Sequence, residues 1–273
     1  MQNPVEYWEQ KLKGKFIGND LRNVIREYLQ VMALKIIYQS KEGTKLGFGG
    51  GTALRICYNL PRYSEDLDFE LIGENFDLNN FLSDFKNGFS KFNTDTDIRI
   101  PIKSFDKIVI KFWLKFSNLL QPLGLTPHKS EKFFIKMEIY TTPPKSVIYE
   151  PVYVSKFDEY FPVLTGNLET LFANKTCAIF ERKYLAPRDY YDLLWYLNKG
   201  IEPNYKVLKE LSIKIKNKEE LIKSMKQKVN EVGKIELINT IGRFLDNKAE
   251  LNVLKDFTKV FESSAKKYLI MKL

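Results

Sequence analysis

The chain has one histidine, His128, and two cysteines, Cys57 and Cys177, among its 273 residues. A lone histidine removes Ser-His-Asp triads and histidine-rich metal sites almost by default. The cysteines lie far apart, each inside an apolar helical pattern, and give neither a disulfide framework nor a zinc spacing. They read as small buried hydrophobes. No run of about 20 apolar residues occurs, so a membrane span is not expected. The stretch Met1-Gln2-Asn3-Pro4-Val5-Glu6-Tyr7-Trp8 lacks the charged-then-apolar pattern of a signal peptide. A reducing cytoplasm is the setting these absences fit.

Two nucleotide-binding signatures are also missing. No Gly-Lys-Ser/Thr follows the glycines at 49–51 at P-loop spacing. Gly47-x-Gly49 has Thr52 where a dinucleotide fingerprint needs its third glycine, and no acidic partner of a βαβ unit is evident. Kinases, ATPases and dehydrogenases are therefore disfavoured. Neither an internal repeat nor a low-complexity tract is present.

What is there suffices for a folded protein. At 44% hydrophobic and 14% aromatic residues the chain can fill a core, and its length allows one large domain or two smaller ones. The formal net charge of +9 favours partners that carry phosphates. Residues 201–273 hold 16 Lys+Arg against 10 Asp+Glu, so the excess is mostly C-terminal. Lys206, Lys209, Lys214, Lys216, Lys218, Lys223, Lys226 and Lys228 read either as a solvated helix surface or as a guide for RNA phosphates.

Periodicity organises the rest. Leu21, Val24, Ile25, Tyr28, Leu29, Met32 and Ile36 recur at helical steps across 20–40, with Asn19 or Asp20 as cap. Leu46–Phe48 is a short strand, Thr52–Tyr58 a helix, Asp66–Leu71 a strand and Leu78–Phe92 a helix with Phe81, Phe85 and Phe89 on one face. Segments 108–116 and 133–140 alternate apolar and polar residues as half-buried strands do. Thr142-Pro143-Pro144 breaks the second, and 147–154 reads as an edge strand. After Phe161-Pro162 the pattern turns helical: Asn167 caps a helix to about Glu181, and Pro187 opens another that Gly200 closes. The expectation is an α+β fold, a mixed sheet with flanking helices over residues 1–160 and a helical region over 161–273.

The chemistry sits in Gly49-Gly50-Gly51-Thr52-Ala53-Leu54-Arg55 and Arg62-Tyr63-Ser64-Glu65-Asp66-Leu67-Asp68-Phe69. Alternate residues of a strand share a face, so Asp66 and Asp68 point the same way. Two such carboxylates call for a cation between them, most simply magnesium. The glycines let the backbone approach closely, and the amides opening the next helix can hold phosphate oxygens.

This glycine turn followed by Asp-x-Asp on a strand resembles the signature of the nucleotidyltransferase superfamily. The fuller string, Gly-Gly-Thr-Ala-Leu then Arg-x-Ser-x-Asp-Leu-Asp-Phe, is similar more narrowly to the AbiEii/AbiGii (MenT-like) toxin nucleotidyltransferases. Two more segments carry the resemblance, which spans about residues 20–198. Ile135-Lys136-Met137-Glu138-Ile139 resembles the family's third strand. Lys175-x-x-Ala178-x-x-x-Arg182 with Arg188-Asp189-x-x-Asp192-Leu193 resembles its helical motif. Lys175 and Arg182 share a helical face, as do Asp189 and Asp192.

The resemblance implies transfer of a nucleotide from an NTP by a toxin with a cognate antitoxin. Asp66, Asp68 and Glu138 would hold Mg2+, with Glu138 also supporting the attacking hydroxyl. Gly50, Gly51 and Thr52 would cradle phosphates, and Lys175, set by Asp189, would neutralise the triphosphate. Arg62 either contacts phosphate or shapes its loop, and Ser64 bonds a phosphate or the backbone. The implied acceptor is RNA, foremost the tRNA 3′ end. Two other readings stay open: a transferase acting on a small molecule, as antibiotic nucleotidyltransferases do, and a non-catalytic nucleic-acid-binding module on the same fold.

Overall fold

The computed structural model describes residues 3–16, 18–91, 96–99, 108–182, 184, 186–231 and 234–271. The chain divides into two compact units. The first comprises Met1–Tyr58, Tyr63–Pro143 and Glu150–Thr165, the second Asn59–Arg62, Pro144–Tyr149 and Gly166–Leu273. The change from sheet to helices, expected at 160/161, lies in this division at Thr165/Gly166.

In chain order the first unit carries α1 (Pro4–Tyr7), α2 (Gly18–Gln39), β1 (Leu46–Gly49), α3 (Gly50–Tyr58), β2 (Leu67–Leu71), α4 (Leu78–Ser90), β3 (Thr96–Arg99), β4 (Val109–Phe116), β5 (Phe133–Tyr140), β6 (Tyr149–Lys156) and β7 (Glu159–Gly166). The strands form one mixed sheet in the order β3-β4-β5-β2-β1-β7-β6. β2 runs antiparallel to β1 and parallel to β5, and β4 runs antiparallel to β5. β5 follows its alternation: Phe133, Ile135, Met137 and Ile139 are buried on one face, leaving Lys136 and Glu138 to the other.

β7 runs across Phe161-Pro162, where the sequence pattern turns helical. Pro162 sits inside it, and the preceding turn uses Phe157 and Asp158 at φ of 54° and 61°. That turn has none of the Asn-Gly or Asp-Gly chemistry that announces a hairpin. On the β1 side Pro162 costs no ladder bond, because β7 meets β1 at Phe48↔Thr165, beyond the proline.

The second unit is helical: α5 (Leu168–Glu181), α6 (Pro187–Lys199), α7 (Tyr205–Glu210), α8 (Lys218–Asn230), α9 (Lys234–Ile241), α10 (Glu250–Leu254) and α11 (Phe257–Ile270). The Asn167 side chain accepts from the Thr170 amide and starts α5. Gly200, at φ 73°, closes α6 in the left-handed conformation. α6 packs on α5, α9 and α11, with Phe172 stacked on Tyr196 at 4.2 Å. No helix among the described residues is long and apolar enough to cross a membrane.

In the first unit, Phe81, Phe85 and Phe89 form a buried stripe on α4, and Phe81 and Phe89 meet Phe112 and Phe116 of β4 edge-on. Removing the Phe89 ring leaves a hole that its neighbours can only partly close. Phe89→Ala should cost about 3–5 kcal/mol of unfolding free energy in urea titrations. A loss below about 1 kcal/mol would show that this stripe does not hold the helix to the sheet.

Candidate active site

In the first unit the candidate site is built where β1 turns into α3 beside β2. Gly49 pairs with Asp68 across the antiparallel β1–β2 ladder. Gly50 follows at φ +69°, and a Cβ there would stand 2.1 Å from Asp68 Oδ2. Only glycine lets the backbone pass so close to that carboxylate. The first amides of α3 then have no intrahelical acceptor.

Thr52 is fully buried, and its hydroxyl donates to the Asp66 carbonyl. The side chain thus anchors the strand entrance, and the Thr52 amide lies in the first turn of α3. Ser64 lies in the same loop, its carbonyl accepting from Gln30 Nε2 at 3.1 Å, so α2 fixes the loop's path. Asp66 stands one residue ahead of β2.

Across β2 and β5 the register is Asp68↔Glu138, and across β5 and β4 it is Lys111↔Glu138. Partners directly opposite on adjacent strands share a face, so Asp68, Glu138 and Lys111 form one row. Lys136 lies two residues before Glu138 and so on the same face. Its Nζ is 3.3 Å from Asp66 Oδ2 and 3.4 Å from Glu138 Oε2, while Lys111 Nζ is 3.0 Å from Glu138 Oε1. Burial disfavours the Lys136 ammonium, but the charges of Asp66 and Glu138 outweigh it and raise the pKa. Glu138 is only 8% exposed, so it is not a carboxylate left to solvent on a sheet face.

Among the described residues, no group of three His, Cys, Asp or Glu side chains could by itself hold a metal ion. The expected ligand set of Asp66, Asp68 and Glu138 is thus brought to one face without closing into a cage, because Lys136 stands between two of its members. The donor set still suits a hard cation: magnesium takes one or two protein carboxylates and fills its remaining positions with water and substrate phosphates. Lys136 itself shows that positive charge is held there.

The second unit contains a charged cluster of its own. Arg62, 2% exposed, grips Asp192 through two hydrogen bonds of 2.6 Å each. The Arg62 guanidinium is thus turned inward onto Asp192. Lys175 Nζ lies 2.8 Å from Asp189 Oδ1 and 2.9 Å from Asp192 Oδ2, and Arg182 binds the other Asp189 oxygen. Burial opposes the charge on Lys175, but Asp189 and Asp192 outweigh it and raise its pKa. Burial likewise works to raise the pKa of Asp192, and Arg62 followed by Lys175 brings it below the ordinary carboxylate value. Three cations therefore share two carboxylates.

Sequence reasoning missed Lys136 and Lys111 as members of the row. The period-two spacing of Lys136 and Glu138 was visible; that β5 lies beside β2 was not. The lysines of the second unit also divide. Lys206, Lys209, Lys214, Lys216 and Lys223 are exposed, as is Lys226, which pairs with Glu262, whereas the half-buried Lys218 binds Glu202 and the Met271 carbonyl and the half-buried Lys228 pairs with Glu231.

A family model described as "Nucleotidyl transferase AbiEii toxin, Type IV TA system" matches residues 33–263. No curated relative matches the chain. Among solved structures, MenT4, a nucleotidyltransferase toxin from Mycobacterium tuberculosis H37Rv, is 14% identical with a TM-score of 0.58, covering 100% of this chain and 91% of that one. JHP933 from Helicobacter pylori is 20% identical with a TM-score of 0.54, covering 90% and 91%. A putative nucleotidyltransferase from H. pylori is 19% identical with a TM-score of 0.54, covering 92% and 98%. At these identities the likeness is one of fold.

The buried cluster generates a test. Asp192→Asn leaves Arg62 and Lys175 short of a counter-charge and should cost about 3–5 kcal/mol. Because the folded-state pKa of Asp192 is depressed, its contribution is fully present above the unfolded value of about 3.9 and is lost as pH falls through the folded one. Wild-type stability should thus fall below about pH 4, and the variant's acid limb should be shallower. Urea titrations between pH 7 and pH 2 that gave parallel curves for the two proteins would refute this coupling.

Proposed function

This chain belongs to the AbiEii nucleotidyl transferase toxin family of type IV toxin–antitoxin systems, and on that premise we propose that it transfers a nucleotide from a magnesium-bound NTP to the 3′ end of an RNA, foremost a tRNA. It is a nucleotidyltransferase, and its family implies a nucleotide substrate, a divalent metal and a cognate antitoxin. The observation that best supports the transfer reading is the approach of the Gly50 backbone to Asp68, which sets a glycine turn against a carboxylate in register with Glu138.

In this reading Asp66, Asp68 and Glu138 would hold the metal, which would supply charge neutralisation and orientation of the triphosphate. The amides of Gly50, Gly51 and Thr52 receive the distal phosphates. The acceptor hydroxyl oxygen bonds to the α-phosphorus, the bond to the bridging oxygen breaks, and pyrophosphate leaves. The hydroxyl proton passes to Glu138. Lys175, oriented by Asp189, neutralises charge on the leaving group, and positioning with electrostatics supplies most of the acceleration. The cytoplasm is the proposed setting; both thiols, pushed up to about 12 chiefly by burial, are protonated there and inert.

Incubating the protein with each labelled NTP, magnesium and total RNA tests the reaction. Asp66→Asn and Asp68→Asn should each reduce transfer by roughly a thousandfold, the worth of several kcal/mol of charge stabilisation, while unfolding midpoints stay near wild type. Lys175→Met should lose turnover per folded molecule, since Arg62 and Arg182 still partner the two aspartates. Near-normal transfer in the aspartate variants removes the metal assignment; a lowered midpoint with normal turnover removes that of Lys175.

The exposed lysines supply the acceptor test. RNA affinity should fall steeply with salt, and reversing Lys206, Lys209, Lys214, Lys216 and Lys223 should reduce the log–log slope by about one for each phosphate no longer neutralised. Affinity indifferent both to salt and to these changes would point to a small-molecule acceptor.

A further inference from the structure

We propose that Lys136 is the resident counter-cation of the carboxylate row: its ammonium holds Asp66 and Glu138 together in the metal-free protein and gives up that place when a divalent cation binds. The inference rests on the metal-site reading given above.

Three observations place Lys136 in this role. Its ammonium bridges the two carboxylates at nearly equal distances, 3.3 Å to Asp66 and 3.4 Å to Glu138. The strand register brings the three together: β2 lies beside β5 with Asp68 opposite Glu138, and Lys136 precedes Glu138 on the same face. Glu138 has a second cation on its other oxygen, since Lys111 approaches Oε1 at 3.0 Å, so releasing Lys136 does not strand Glu138 without a partner.

The chemistry of the side chain makes it displaceable. Lys136 is 31% exposed, so its ammonium has water within reach. A lysine is a compact, strongly hydrated charge on a flexible stem, free to swing without breaking a planar fork of bonds. Without it, carboxylates on one sheet face would repel one another. A divalent cation satisfies the same carboxylates with twice the charge, and the two cations cannot both sit between them.

The metal-free protein is therefore more stable with Lys136 than without it, and the metal binds more weakly than the carboxylates alone would allow. A nucleoside triphosphate brings anionic oxygens to which the released ammonium can turn. Metal and nucleotide then favour each other's binding, and the favour is mutual by linkage.

The test uses the full chain without nucleotide. Titrating wild type, Lys136→Met and Lys136→Arg with MnCl2 and MgCl2 by calorimetry should show Lys136→Met binding about tenfold tighter and Lys136→Arg, which keeps the charge on a less displaceable fork, binding no tighter than wild type. In EDTA the melting temperature of Lys136→Met should fall by about 2–4 °C, the shift expected for a loss near 1 kcal/mol in a chain of this size. Adding Asp66→Asn should restore it, because the repulsion then has one charge fewer. Unchanged or weaker metal binding in Lys136→Met, with measurable binding in wild type, overturns the proposal and leaves the metal site standing. Failure of Asp66→Asn to rescue the metal-free protein also overturns it. Absence of divalent-cation binding in all three proteins overturns both this proposal and the metal-site reading beneath it.

Discussion

Side-by-side carboxylates on a sheet face are the constraint around which the first unit's site is arranged. Parallel pairing of β2 with β5 sets Asp68 opposite Glu138, and antiparallel pairing of β5 with β4 sets Lys111 opposite Glu138 in turn. Like charges so placed repel, and each addition to the row answers that repulsion with a cation. Lys136 bridges Asp66 and Glu138; Lys111 takes the remaining oxygen of Glu138. The glycine turn belongs to the same arrangement, because Gly50 must lack a Cβ for Asp68 to occupy its place. Thr52 ties the strand entrance to the helix that follows the turn.

The second unit solves a related problem in the opposite sense. There the cations outnumber the carboxylates, with Arg62, Lys175 and Arg182 set against Asp189 and Asp192. Buried charges persist only when paired, and Asp192 at 0% exposure is held by two cations at once. Each of the two carboxylates is held by two cations, and the cluster is fixed by helix packing rather than by a flexible surface. Lys175 is thereby kept charged inside a largely apolar helix pair.

Much of this was legible beforehand because it depends on local chemistry. The alternation of Phe133 through Tyr140, the Asn167 cap, the Pro187 start and the Gly200 stop each follow from a single residue's geometry or from a two-residue period. Asp66 and Asp68 stood out because their spacing is itself the signal. β7 was not legible: Pro162 and a Phe-Asp turn disguise a strand that exists because β1 and β6 offer it partners. Nor was the inward turn of Arg62, whose partner Asp192 lies 130 residues away.

Sequence alone determined the elements from α2 to α6 except β3 and β7, the glycine turn, the paired aspartates and the family, since each is written in neighbouring residues and their periods. Tertiary structure alone decided which charges neutralise which. Lys136 is an ordinary polar-face lysine until β5 is laid beside β2, and Arg62 an ordinary loop arginine until α6 brings Asp192 against it. Electrostatic pairing depends on distances of a few ångströms between residues far apart in the chain, and only the folded backbone sets those distances.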